Sequence, residues 1–207
     1  MMFRSLKYIA LILSLIFANL PGQTINRYGT TAANFLEIGV GSRATSMGDA
    51  YVAVANDVSS IYWNPAGLAS VLNSSALFMV QPWLIDIDML FAGGAVVVPN
   101  VGVIGLGITH LDYGEMDVTN LEYQDGTGER FGASDMAATF TFSRKIVSWF
   151  SFGSSMKYIS SNIWHSSASA FAVDLGVLVN TKFFSFTGND KDGMNIGMSI
   201  SNYGTRM

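Results

Sequence analysis

From residue 73 onward the chain repeats one pattern: segments of about ten residues in which alternate positions are apolar and the positions between them are small or polar. In FSFGSSMKYIS (150–160), Phe150, Phe152, Met156 and Tyr158 alternate with Ser151, Gly153, Ser155 and Lys157. In MAATFTFSRK (136–145), Phe140 and Phe142 oppose Thr139, Thr141, Ser143 and Lys145, and in FAVDLGVLVN (171–180) Phe171, Val173, Leu175, Val177 and Val179 oppose Ala172, Asp174, Gly176 and Asn180. Side chains alternate across a strand, so each segment predicts a strand with one greasy face and one wet face. With SALFMVQPW, MLFAGGAVVV, VGVIGLGITHLDYG and NIGMSISN, the pattern predicts about seven strands. FAGGAVVVPNVGVIGLGIT (91–109) is broken by Pro99-Asn100 and reads as two strands and a turn, not a membrane helix.

A soluble antiparallel sandwich also alternates. Two features point to lipid instead. The wet face is Ser, Gly, Thr and Asn with sparse charge, and aromatic residues gather near segment ends: Trp83, Trp149, Phe150, Trp164, Phe183 and Phe184. Apolar-out, polar-in strands flanked by aromatic girdles are the signature of outer-membrane barrels, which close because an open edge in lipid leaves backbone groups unpaired. The links predict short turns at 98–102 and 145–148 alternating with longer polar loops at 115–135 and 162–167, the long ones facing outside and the short ones the periplasm.

Ahead of the strands, 34–71 lacks alternation and is rich in Ala, Gly and Ser. Within it, Asp57 is placed to cap a helical turn through Ser60, and Asn64 followed by Pro65 is a second helix start, an amide cap with proline at the first position. The start of the chain carries Arg4 and Lys7, an apolar run from Tyr8 to Ala18, then Pro21 and Gly22. That run is too short to span a bilayer and reads as a secretory signal, cleaved between Ala18 and Gln23. The expected organisation is a signal peptide at 1–22, a segment of short helices at 23–71, and strands at 72–207.

Composition agrees with this picture. Half of the 207 residues are hydrophobic and only 13% are charged, against roughly 25% in soluble domains. The net charge of −4 and scattered cations give no basic patch for nucleic acid. Without cysteine there is no disulfide framework, thiolate metal site or lipoprotein anchor. His110 and His165 have no second ligand at metal spacing and no nucleophile pattern beside them. Asp125, Glu129 and Asp135, like NDKDG (189–193), lack calcium-loop spacing and read as turn formers. Asp174, on a wet-face position, is expected to pair with Lys145 or Lys157, because a buried charge without a partner is costly. The reading is a non-enzyme with no cofactor and no bound metal.

The run RATSMGDAYVAVANDVSSIYWNPAGLA (43–69) resembles the N-terminal signature of the PorV/PorQ family of bacterial outer-membrane proteins, relatives of the FadL long-chain fatty acid transporters. Arg43, Met47, Gly48, Ala53, Asp57 and Ser60 match, and above all Trp63, Asn64, Pro65, Ala66, Gly67, Leu68 and Ala69. The resemblance implies a transmembrane antiparallel β-barrel of about fourteen strands, an even number as in other single-chain bacterial barrels. It also implies that the motif belongs to a hatch folded inside the lumen, where the chain passes from plug to wall. Since the chain supplies about seven strands and ends in SISNYGTRM, the expectation is an N-terminal fragment holding about half of such a barrel.

By the same resemblance the protein resides in the outer membrane, among its lipids. It is an accessory or shuttle in type IX protein secretion and surface attachment, with cargo or other secretion components as partners. Two alternatives stand beside this: FadL-like uptake of long-chain fatty acids or other hydrophobic small molecules, and a structural or adhesive barrel using the loop at 115–135.

Overall fold

In the computed structural model, the structure describes residues 32–84, 87–188 and 193–207. The signal-peptide expectation for 1–22 lies outside the described residues, as does most of NDKDG. The alternating segments form β1 (Ser75–Leu84), β2 (Ile87–Val98), β3 (Gly102–Asp117), β4 (Arg130–Val147), β5 (Phe150–Ile163), β6 (Ser166–Asn180) and β7 (Asn195–Gly204). They make one sheet in sequence order, every neighbouring pair antiparallel. No described helix is long and apolar enough to cross a membrane.

The period of two divides the sheet into a covered and an open face. On β3, Val103, Gly105, Gly107, Thr109 and Leu111 are buried, whereas Leu106 and Ile108 between them are exposed. Phe140 on β4, Met156 on β5, Phe171, Val173 and Leu175 on β6 and Met198 on β7 continue the exposed apolar rows. In water such a face would be an aggregation liability. For a chain meeting lipid it is the expected exterior. Trp83 and Trp164 stand at one end of the strands, with Trp149, Phe183 and Phe184 at the other, all exposed.

The links differ from the expected alternation of short and long. The predicted loop at 115–135 shrinks to 118–129, because β3 runs on to Asp117 and β4 starts at Arg130. Arg130 holds this extension, donating to Glu115 and Asp117 at 3.0 Å each across the pair. Asp135 therefore lies within β4, where its carboxylate accepts the Tyr113 hydroxyl at 2.7 Å. The predicted loop at 162–167 is a turn of Trp164 and His165 alone, with Trp164 at φ 52° and stacked on His165. Its serines pair in register instead, Ser167 with Asn162 and Ser166 with Ile163. The link between β6 and β7, 181–194, is long although it shares an end with the short turns at 99–101 and 148–149. His110 lies inside β3, paired with Leu90 and Met136, not at the strand's end.

Residues 32–71 fold as short helical turns, Asn34–Glu37, Ser42–Thr45, Ser60–Trp63 and Pro65–Ser70, against the covered face. Phe35, Leu36, Val40, Val58, Ile61 and Leu68 join Met89, Phe91, Val103 and Leu111 of the strands in one core. Each large side chain buried there contributes about 1.5–3 kcal/mol. Apolar burial on the sheet thus contributes to holding the segment.

Candidate functional site

The run Trp63 to Leu68 is seated on the covered face by polar and steric contacts together. Asn64 is fully buried, and its extended backbone ends one helical turn and starts the next. Its side chain is satisfied three ways. Oδ1 accepts from the Ala66 N–H at 3.0 Å, which is the expected cap, while Nδ2 donates to the Val52 carbonyl at 2.8 Å and to the Val177 carbonyl of β6 at 3.2 Å. Pro65 follows at the first helical position, where its missing N–H costs nothing. From β4, the Ser143 hydroxyl donates to the Ala66 carbonyl at 3.2 Å and accepts from the Ala69 N–H at 3.1 Å.

Glycines on successive strands make room for the segment. A Cβ on Gly153 of β5 would overlap the Pro65 and Ala66 backbone, and one on Gly176 of β6 would overlap the Asn64 side chain. On β3, a Cβ at Gly105 would come within 2.7 Å of Leu68. Gly67 answers them from the segment's own side, since a Cβ there would overlap the Ala55 carbonyl. The wall and the segment therefore interlock at backbone distance.

The aromatic pair before Asn64 ties the rest of the segment down. The Tyr62 hydroxyl donates to the Leu36 and Ile38 carbonyls at 2.6 and 2.8 Å, and Trp63 Nε1 donates to the Val40 carbonyl at 2.8 Å. Trp63 packs edge-on against Tyr51 and Tyr62 and borders the small core of Ala44, Tyr51 and Ala55. Burial, reinforced by Asp49, Glu37 and Asp174, pushes the Tyr62 phenol well above its ordinary 10.0. A phenol that stays protonated when folded but ionises near that value when unfolded lends stability that is full below pH 10.0 and drains as pH rises through the folded value. Tyr62→Phe is expected to cost about 1–3 kcal/mol at neutral pH by orphaning two carbonyls. It should also flatten the alkaline loss, read by denaturant unfolding at neutral and alkaline pH.

The upstream motif residues form a second, more exposed cluster. Arg43 donates to Asn56 Oδ1 at 3.0 Å, lies 3.9 Å from the Asp57 carboxylate and covers the Tyr51 ring at 5.4 Å. Asp57 accepts the Tyr51 hydroxyl at 3.2 Å and the Ser59 N–H at 2.8 Å. It thereby closes the turn into Ser60–Trp63, while Ser59 occupies the cap position expected for Asp57. Burial raises the Tyr51 pKa, Asp57 adds to the rise, and Arg43 opposes it. Met47 and Gly48 stand apart on an exposed turn, Gly48 at φ 62° and Asp49 after it at φ 64°.

A third group lies outside the motif, and in it Asp174 has one of its two expected partners. Lys157 of β5 and Asp174 of β6 form a buried ion pair at 2.8 Å, Lys145 remaining exposed. Asn202 of β7 joins it, accepting from Lys157 Nζ at 2.8 Å and donating its N–H to Asp174 at 2.7 Å. Among the described residues, no group of three or more His, Cys, Asp or Glu side chains is arranged to hold a metal. The geometry is that of a structural lock between the N-terminal segment and the sheet.

Two comparisons bear on this arrangement. The family model described as type IX secretion system protein PorV matches residues 22–207. No curated protein matches the chain.

Proposed function

Since the chain belongs to the PorV family of type IX secretion system proteins, and is thus an outer-membrane protein of that system, we propose that it serves as an accessory that carries exported cargo proteins toward surface attachment. The family match across 22–207 carries this reading. In it, residues 1–22 are the cleaved leader, 23–71 are the hatch, and 72–207 are wall, with the open apolar face against lipid. Arg43, Met47, Gly48, Asp57 and Trp63 to Leu68 act structurally, holding the hatch in place. The interlocked seat of Asn64 and Pro65 supports a barrel that works at its surfaces, because the covered face is filled at backbone distance.

FadL-like uptake is the second reading. An apolar depression of about 690 Å³ on the open face, where Ala92, Gly94 and Ala138 lie low between Leu106, Phe140 and Tyr158, has the chemistry of a site for a hydrophobic small molecule. A deletion strain separates the two. Export predicts that cargo bearing the type IX C-terminal domain is lost from the cell surface while long-chain fatty acid import is unchanged. Normal display with slowed import would replace export by uptake.

A further inference from the structure

Toward the end holding 118–129, the apolar rows of the open face do not stop at one level. Val80, Leu90, His110, Met136, Ser160 and Ser169 occupy open-face positions opposite one another on β1 to β6. Along that line the residues are apolar on β1, β2 and β4 but hydroxyls on β5 and β6. One open-face position nearer the middle, Phe78, Ala92, Ile108, Ala138, Tyr158 and Phe171 are all apolar or aromatic. One position the other way, Asp88, Asp112, Ser134, Asn162 and Ser167 are all polar, whereas Pro82 on β1 leads on to exposed Trp83 and Leu84. On β7 the exposed Tyr203 ring stands opposite Val173, further in again. The limit therefore retreats along the strands from β1 to β7.

At the opposite end the other limit moves the same way. Within β1 only Ala76 follows Phe78 on the open face, whereas the row reaches Val98 on β2 and Ile146 on β4. On β6 it passes Val179 and enters the link to β7. There the Thr181 N–H donates to the Met194 carbonyl at 3.0 Å and the Met194 N–H to the Phe183 carbonyl at 2.9 Å, prolonging the ladder to Phe183. Phe184 follows at φ 60°, a conformation bulky residues rarely take, and its ring lies 4.3 Å from that of Phe183. Both rings and that of Phe186 are exposed. The charges of the same link, Asp190, Lys191 and Asp192, come later in the sequence and lie outside the described residues.

A level bilayer crossed by tilted strands produces this offset. With strands about 4.8 Å apart and tilted by about 40°, its boundary moves about 4 Å, rather more than one residue, at each step to the next strand. From β1 to β6 that comes to about six residues, and Leu84 lies six residues beyond Phe78, the position level with Phe171. We propose that lipid crosses the open face obliquely, reaching Leu84 on β1 but stopping at Phe171 on β6, and taking in the Phe183, Phe184 and Phe186 rings at the other end. Irregular backbone is excluded from hydrocarbon, so the link lies in the headgroup layer with its rings toward the acyl chains, a place that also suits its charges. Trp164, expected among the interfacial aromatics, is six residues past Tyr158. It thus stands about 20 Å further along the strand, or about 15 Å higher, clear of lipid with the hairpin from Ser160 to Ser169. The proposal rests on the outer-membrane placement and not on the choice between export and uptake.

The test uses the full-length protein in dioleoylphosphatidylcholine vesicles. The chain carries no cysteine, so one introduced thiol takes a nitrobenzoxadiazole label alone. Quenching by nitroxide lipids, labelled near the headgroup or deep in the acyl chain, is compared with quenching by iodide in the buffer. V80C and S169C decide, because they share one line across the strands. V80C is expected to lose most of its emission to nitroxide lipid and little to iodide, and S169C the reverse. F186C should respond to the shallow nitroxide, and M156C, in the middle of the open face, to the deep one. If V80C or S169C fails to fold, judged by heat-dependent gel mobility, L84C and S167C replace them with the same expectation. Equal responses from the two members of the pair would overturn the oblique boundary. Iodide quenching of F186C as strong as that of S169C would overturn the contact of the link with lipid. M156C silent to both nitroxide lipids would overturn the membrane placement itself, and the proposal with it.

Discussion

Lys157→Met is expected to cost about 3–5 kcal/mol, because it leaves Asp174 with an uncompensated charge in a place water does not reach. The two side chains are 4% and 1% exposed, and their ion pair at 2.8 Å is deep on the covered face. Desolvating two charges is expensive, so the pair itself is near break-even, and the large cost belongs to breaking it from one side. Removing both charges with Lys157→Met/Asp174→Leu should therefore recover most of the loss. Recovery falls short by about 1–3 kcal/mol, since the Asn202 N–H loses its acceptor on Asp174 and the Asn202 amide loses the Lys157 donor. Asn202 sits at φ 59°, where the pairing of β6 with β7 shifts between Val173 and Leu175. The same double variant should then loosen β7, visible as faster amide exchange in Asn195–Gly204 with β3 to β5 unchanged. Denaturant unfolding of the single and double variants checks the energies. A single variant as stable as the parent would mean that water reaches Asp174 and that the pair is not buried in the folded protein.

The sheet was legible because one physical rule, alternation of an apolar row with a small or polar one, governs every strand from β1 to β7. Phe140 and Phe142 against Thr139, Thr141 and Ser143 announce both the strand and its facing. Strand ends were less legible, since serine and asparagine favour turns locally but pair equally well within a ladder. Ser166 and Ser167 pair as strand with Ile163 and Asn162 for that reason, and Arg130 extends β4 through ion pairs with residues that local pattern cannot connect. In the N-terminal segment, Asn64 and Pro65 were readable as a cap and a first helical residue because that chemistry is local. Their contacts with β5 and β6 were not. Gly153 and Gly176 looked like ordinary wet-face positions, and only the chain crossing above them reveals that they are small to admit backbone. A signal was present, in that glycine recurs on the wet rows of β2, β3, β5, β6 and β7, but its meaning depends on contacts more than a hundred residues apart. Lys157 and Asp174 could be paired in advance by the cost of a buried charge. Asn202 could not, because its role depends on a shift in register.

Asn64→Leu is expected to release the N-terminal segment from the wall. The substitution removes the acceptor for the Ala66 N–H and both donors to the Val52 and Val177 carbonyls, three backbone groups at the buried Asn64 side chain. At about 1–3 kcal/mol for each orphaned group, the loss comes to roughly 3–6 kcal/mol after partial relaxation. Asn64→Asp should be no better: it keeps an acceptor for Ala66 but turns a negative charge toward two carbonyl oxygens. Gly176→Val attacks the same contact from the wall, placing side-chain atoms where the Asn64 amide and the Pro65 ring now lie. The measurement is limited proteolysis across 32–71 beside heat-dependent gel mobility of the protein. The expected result is cleavage within the segment at protease levels the parent survives, while the wall still migrates as folded. Because both changes break one contact, their costs should not add: the double variant should be little worse than the worse single. Fully additive costs would mean that Asn64 and Gly176 act on separate parts of the fold. A segment as protected as in the parent would show instead that apolar burial of Phe35, Ile61 and Leu68 holds it without the lock.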